Sequence, residues 1–529
     1  MYFTSAGFVL FLSLVAVGYY LFFRRAQWQF LLLASLVFYV FSGWDNLIYI
    51  CATIASIYFA GLSMDRSQSS MLHTLEENKE MFSAAEAKAL RAKTKKKRRR
   101  AMQLCLLFNF GLLAVLKYAN FAVGSVNSLL DLLGANGALG FFGLALPMGI
   151  SFYTLQATGY LIDVYRSKQS DAAEKSILRL ALFSSFFPQM VQGPISRYGE
   201  LSQTLYETHR FDGRTFLGGV LRVLWGFFKK LVVADRLLGA VKTLAAALES
   251  FGGVYVLLTM LFYAVVLYAD FTGGIDIAIG AAKMLGIRLA ENFNRPFYSK
   301  SIAEYWRRWH ITMGTWFKDY LFYPLGASKP MLSLIKPSKR LFGDRISVRV
   351  PVYLTTVILW LATGLWHGAS WNFIVWGLAN GLVIILSQEL MPVYRRFHAR
   401  FPWTDGKAYA AFQVVRTFAL MCVIRSLDVY PSVRAAFAAF ASLFTGFGKS
   451  LAELPRLLEL GLSPGDYVVA AAGVALMIAA GAVRARYFQK KEMSGTMCGV
   501  CGMLLFFAVL IFGRYGIGYD AAQFIYNRF

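Results

Sequence analysis

Long uncharged apolar runs recur along the chain, separated by short polar or basic stretches. A helix that crosses a bilayer needs about 20 predominantly apolar residues. Runs of that character occupy 5–23, 27–43, 46–62, 102–119, 139–162, 253–269, 351–388, 409–424, 467–483 and 497–512. The run at 351–388 is long enough for two crossings. Less clear segments near 176–192, 216–234 and 434–447 bring the expected total to roughly ten to thirteen transmembrane or re-entrant helices. The first run has neither a basic leader nor a small-residue cleavage site and reads as a retained helix. The pattern predicts an all-α polytopic membrane protein.

Composition agrees: of 529 residues, 57% are hydrophobic and 16% charged, against about a quarter charged in soluble domains. The formal net charge of +25 changes the picture more. It raises a nucleic-acid reading, which is set aside because polytopic proteins concentrate Lys and Arg in cytoplasmic loops. The most polar stretch, 65–100, ends in the basic run Lys95 to Arg100 and reads as a basic cytoplasmic loop. Three crossings precede it, which puts the N-terminus outside. The plain reading of the run is a solvated topology determinant; contact with anionic lipid headgroups is the alternative. Further inner-side markers are Arg166–Lys168, Lys229–Lys230, Lys336–Arg349, Arg395–Arg400 and Arg484–Lys491. Residues 350–388 contain no Asp, Glu, Lys or Arg and are flanked by two of these clusters. An even number of crossings follows, hence a hairpin or a broken pair. The same parity places 514–529 outside. Cys51, Cys105, Cys422, Cys498 and Cys501 lie in or beside apolar runs, where cysteine usually packs, so no metal or redox site is expected. The absence of an internal repeat counts against a transporter.

His367 is the residue between Arg349 and Glu389 that titrates near neutrality. Ionisable groups inside membrane segments are costly and suggest a functional site. Gly364 and Gly368 bracket it, so a bend there would present the imidazole to a cavity. A neutral, desolvated imidazole suits a general base; the competing reading is a core histidine tying two helices together. His310 lies in a segment that opens with Ser301 and Glu304, the spacing of a capping box. Ile302, Trp306, Trp309, Met313, Trp316, Phe317 and Tyr320 then follow the helical period. One Trp-rich amphipathic helix is predicted, with His310 at the edge of its apolar face. Upstream, Asp270 and Asp276 sit in or at the end of an apolar segment and need partners; Arg307 and Arg308 are the candidates. Pro188 to Pro194, including Gln189, is a Pro/Gly-broken apolar segment of the kind that lines a cavity.

The stretches DFTGGIDIAIG, ENFNRPF and EYWRRWHITMGTWFKDYLFYPLG, followed by TGLWHGASWNFIVWG and preceded by FFPQMVQGPI, resemble the membrane-bound O-acyltransferase family. The likeness is to the bacterial branch that works on surface polysaccharides. It implies one integral-membrane domain over 1–529 with a catalytic core at 140–390 and helices around a central tunnel. His367 would be the catalytic residue and His310 would line the cytoplasmic side. Asn292, Asn294, Trp306, Trp309, Lys318, Asp319, Trp366, Asp270, Asp276 and Gln189 would line the substrate path. One departure is Gly274–Ile275, where relatives commonly read Tyr-Ser. The ending FIYNRF resembles a motif in which a tyrosine, here Tyr526, carries the acyl group outside; an aromatic interfacial anchor is the plainer reading. The resemblance further implies acetyl-CoA or an acyl-carrier thioester as co-substrate, with no bound cofactor or metal. It also implies an extracytoplasmic SGNH-type transferase partner and a bacterial cytoplasmic-membrane location. The expected activity is O-acetylation of a polysaccharide. D-alanyl transfer to teichoic acid and, in another class, proton-coupled transport are the alternatives.

Overall fold

Helices carry nearly all the regular structure in the computed structural model, which describes residues 2–135, 138–452, 454–487, 493–516 and 519–520. Among these, eight helices are long and apolar enough to cross a membrane, and three shorter apolar helices accompany them. The chain divides into two compact units, Met1–Asp212 with Ala281–Leu289, and Gly213–Gly280 with Ala290–Phe529.

The first unit holds α1 (Ala6–Val17), α2 (Gln27–Val40), α3 (Leu47–Glu77), α4 (Ala84–Leu132) and α5 (Ile150–Arg166). The expected cytoplasmic loop at 65–100 is helical except for a short turn. Ala, Lys, Arg and Glu are good helix formers, so a polar stretch of them extends α3 and α4 instead of interrupting them. Ser83 and Glu86 close a capping box at the start of α4: Ser83 Oγ accepts from the Glu86 N–H at 3.2 Å, and Glu86 accepts from the Ser83 N–H at 2.9 Å. Within the basic run, Arg98 is buried and donates to Gln68 at 2.5 Å and to the carbonyl oxygens of Val164, Tyr165 and Ser167 at 2.9–3.1 Å. A cation there complements the C-terminal end of α5.

A correction concerns 139–162. Regular helix begins only at Ile150, because the preceding stretch is interrupted by Gly140, Gly143 and Pro147. Its backbone is partnered from α4: Asn127 exchanges two hydrogen bonds with Leu139 (3.0 and 2.8 Å), and Asn120 exchanges two with Phe142 (2.9 and 2.8 Å). Apolar surroundings require every backbone group to find such a partner. The expected crossing at 27–43 also shortens, since the 14 residues of α2 cover only about 21 Å at 1.5 Å per residue.

The second unit includes α6 (Gly213–Phe227), a π-helical turn Phe228–Ala234, α7 (Asp235–Ala246), α8 (Val254–Met284, its end counted with the first unit), α9 (Ile302–Arg308), α10 (Ile311–Phe317), α11 (Val350–His367), α12 (Trp371–Glu389), α13 (Lys407–Ser426), α14 (Pro464–Tyr487) and α15 (Gly495–Phe512). The charge-free stretch 350–388 is a hairpin of α11 and α12 broken at 368–370. The pairs α6–α8 and α11–α12 come into backbone contact. A methyl group on Gly226 would lie 2.6 Å from the Gly273 carbonyl oxygen, and one on Gly377 only 3.4 Å from the Gly364 Cα. Small residues permit this closeness, which is how helices associate when lipid offers no hydrophobic driving force.

Candidate active site

Trp366 and His367 end α11 and are 5% and 2% exposed. The imidazole of His367 lies in an aromatic shell, with ring centroids of Trp376, Trp366 and Phe373 at 4.9, 5.1 and 6.2 Å. The chain breaks as expected at Gly368, which ends α11 in an extended conformation, and both glycines also serve close packing. Gly364 stays helical, where a side chain would meet the Phe373 carbonyl, and Gly368 leaves room for the Phe373 ring.

His310 departs further from expectation. The predicted continuous helix stops at Arg308 and restarts at Ile311, with His310 left-handed between them at φ 48° and ψ 54°. Ser301 caps α9 by accepting from the Glu304 N–H at 3.2 Å, but the Glu304 carboxylate turns to the Lys300 N–H at 2.8 Å. Non-glycine residues in this backbone region are uncommon and are held there by their surroundings. The hold comes from Asn292, which is fully buried. Its Oδ1 accepts from the Thr312 N–H and hydroxyl, both at 3.0 Å, and its main-chain carbonyl accepts from the Ile311 N–H at 3.0 Å. Because the Thr312 N–H can only donate, this atom of Asn292 is the amide oxygen. His310 Nδ1, 3.2 Å from the same oxygen, therefore carries the proton, and Nε2 holds the lone pair. Burial, with the Arg425 charge nearby, pushes the His310 pKa down to about 3, so the ring is neutral at physiological pH. His310 is completely buried, not at the edge of a helix face.

The two histidines meet on one indole. Trp366 packs 5.8 Å from the His310 ring and 5.1 Å from the His367 ring, and Phe271 of α8 packs against His310 at 4.8 Å. Trp309 is buried against Tyr305 and Phe293. Trp306 donates its indole N–H to Asn380 at 3.1 Å.

Asp270 and Asp276 find other partners than Arg307 and Arg308. Arg308 pairs with Glu304 at 2.6 Å, one helical turn away. The close contact of α6 with α8 brings lysines to the aspartates instead. Lys230 lies 2.6 Å from Asp270 and 2.7 Å from Asp235, and Lys229 lies 2.5 Å from Asp276. Arg222 pairs with Asp276 at 2.9 Å and grips Glu291 with two bonds of 2.6 Å. Lys229 and Lys230, expected as loop markers, are 4% and 0% exposed in the π-helical turn. Tyr519 donates to the second Asp235 oxygen at 2.8 Å, which ties the segment after α15 to this ionic cluster.

The remaining candidates scatter. Lys318 and Asn294 are exposed and Asp319 is half-buried. Gln189 belongs to the first unit, where it is buried, donates to the Phe183 carbonyl at 3.2 Å and accepts from Ser196 at 2.9 Å. Tyr526 lies outside the described residues. Among the described residues, no group of His, Cys, Asp and Glu is arranged to hold a metal ion. Sequence reasoning missed Arg425, in the last turn of α13, and Trp376. The signal was available, since Arg425 is a cation at the end of an apolar run and Trp376 follows His367 by nine positions.

A family model for membrane-bound O-acyltransferases matches residues 69–335, a span that holds His310 and ends before His367. The chain belongs to that family. It is a multi-pass membrane O-acyltransferase. It is 31% identical over 473 residues to a probable alginate O-acetylase of Pseudomonas aeruginosa, covering 89% of this chain and 80% of that protein. A peptidoglycan O-acetyltransferase of Helicobacter pylori is 29% identical over 396 residues, 70% of this chain and 66% of its own. A teichoic acid D-alanyltransferase of Streptococcus thermophilus is 27% identical over 247 residues, 45% of this chain and 56% of its own.

Proposed function

We propose that this O-acyltransferase carries an acetyl group from a cytoplasmic thioester, acetyl-CoA or an acyl-carrier thioester, across a bacterial cytoplasmic membrane for O-acetylation of a surface polysaccharide. The observation that carries the reading is the packing of His310 and His367 on the same indole, Trp366, inside a buried aromatic enclosure. His367 acts as general base. It takes the acceptor hydroxyl proton as that oxygen attacks the thioester carbonyl, and the C–S bond then breaks. The departing thiolate takes the proton back from the imidazolium and leaves as a thiol. His310, neutral with its lone pair on Nε2, offers a hydrogen-bond acceptor on the donor side. Tyr526 is the proposed acceptor that carries the acyl group outside, and an SGNH-type transferase the proposed recipient. Support for acetyl comes from the O-acetylating relatives, which match most of this chain. The D-alanyltransferase match, under half of the chain, keeps carrier-delivered D-alanine as the second reading. Family membership favours acyl transfer over proton-coupled transport.

The test is transfer of labelled acetyl in proteoliposomes supplied with acetyl-CoA on one side. General-base removal typically costs about 10²- to 10⁴-fold, and His367→Ala is expected to lose at least that. Full transfer by folded His367→Ala sinks the base assignment. Label that moves from a D-alanyl carrier but never from acetyl-CoA selects the second reading. Tyr526→Phe is expected to stop label reaching the outer acceptor.

A further inference from the structure

Arg425 is 5% exposed, and its guanidinium carbon lies 5.1, 4.9 and 4.8 Å from the ring centroids of Trp306, Trp309 and Trp376. These indoles belong to α9, to the residue before His310 and to α12. Trp376 packs its other neighbour, His367, at 4.9 Å between ring centroids. One cation thus touches the segment that carries each histidine. The carboxylate nearest to it, Asp428, stands 4.0 Å away and is equally buried, the outer limit of an ion pair. Attraction between the guanidinium and the electron-rich faces of three indoles therefore contributes to holding the charge there. A planar, weakly hydrated guanidinium can stack on several rings at once, whereas a lysine ammonium acts as a point charge.

We propose that Arg425 is a positioning residue for acyl transfer: stacked on Trp309 and Trp376 together, it sets the placement of His310 relative to His367. The proposal rests on the assignment of His367 as base. A merely structural cation would lower the amount of folded protein on substitution and leave turnover of the folded fraction intact. A positioning cation instead lowers kcat, because small misplacements of reacting groups cost about 10²-fold, while the donor KM changes little.

The experiment measures kcat and donor KM for acetyl transfer in proteoliposomes, per folded molecule counted by monodisperse elution, for Arg425→Lys, Arg425→Gln, Trp376→Phe and His367→Ala. Arg425→Gln is expected to lose about 100-fold in kcat with KM held within threefold. Arg425→Lys should recover part of that loss, and Trp376→Phe should lose about 10-fold. Wild-type kcat in folded Arg425→Gln overturns the proposal, as does a loss confined to KM. If Arg425→Gln does not fold, Arg425→Lys and Trp376→Phe decide, and unchanged kcat in both overturns it. Inactive His367→Ala beside fully active Arg425 variants defeats this inference alone; active His367→Ala defeats the reading beneath it.

Discussion

The second unit contains two buried polar centres that solve the same problem in opposite ways. Around Asp270 and Asp276, charge is met with charge: lysines, an arginine and a tyrosine supply bonds of 2.5–2.9 Å. Around His310 and His367, polar rings are enclosed by indoles and phenyl rings, and His310 is neutral. Buried ions that saturate one another lock helices together, since breaking one partner leaves an uncompensated charge. A buried neutral imidazole among aromatics, as at His310, has a lone pair that a reacting proton can use. On the proposed function the contrast separates a structural role from a chemical one, although both centres begin as ionisable residues in apolar sequence.

The comparison can be broken at either end. The largest effect is expected from His367→Ala, with transfer down by about 10²- to 10⁴-fold and a melting temperature close to wild type. Asp276→Ala should do the reverse. Stranding Lys229 and Arg222 is expected to cost about 3–5 kcal/mol of stability, read as lost folded yield in detergent, while surviving molecules turn over normally. Equal loss of kcat per folded molecule in both variants would erase the distinction. Asn292→Ala sharpens it: the Thr312 donors lose their acceptor, at about 1–3 kcal/mol, and the left-handed turn at His310 relaxes, so stability and transfer fall together.

A further effect concerns pH. His310 is held near 3 when folded against about 6.5 in an unfolded chain. The unfolded state binds the extra proton in that window, so stability falls as pH drops from about 6.5 toward 3 and levels off below. A His310→Asn variant should show a shallower acid dependence of its melting temperature across the same window. An unchanged slope would mean that His310 is not buried neutral.

Much of the architecture was legible in the order of residues. The charge-free stretch 350–388 read as a broken pair and is one, because its length and its Gly368–Ser370 interruption are local properties. The amphipathic period across 302–320 was equally visible, yet it concealed the break at Trp309–His310. That break depends on Asn292, which reaches residues 18 to 20 positions away. The basic stretch 65–100 hid its helices for a related reason. Polarity marks what leaves the apolar layer, not what stops being helical, and Arg98 is stabilised by carbonyls some 66 positions further on.

By itself the sequence determined that this is a helical membrane protein with a histidine in a charge-free segment, because length, hydropathy and the cost of ionisable groups in lipid act residue by residue. The tertiary structure decided which charges cancel, which way the His310 proton points, and that Arg425 and Trp376 belong with the histidines. Those outcomes depend on contacts between helices, where glycine–glycine approaches and indole faces bring together side chains that no local spacing connects.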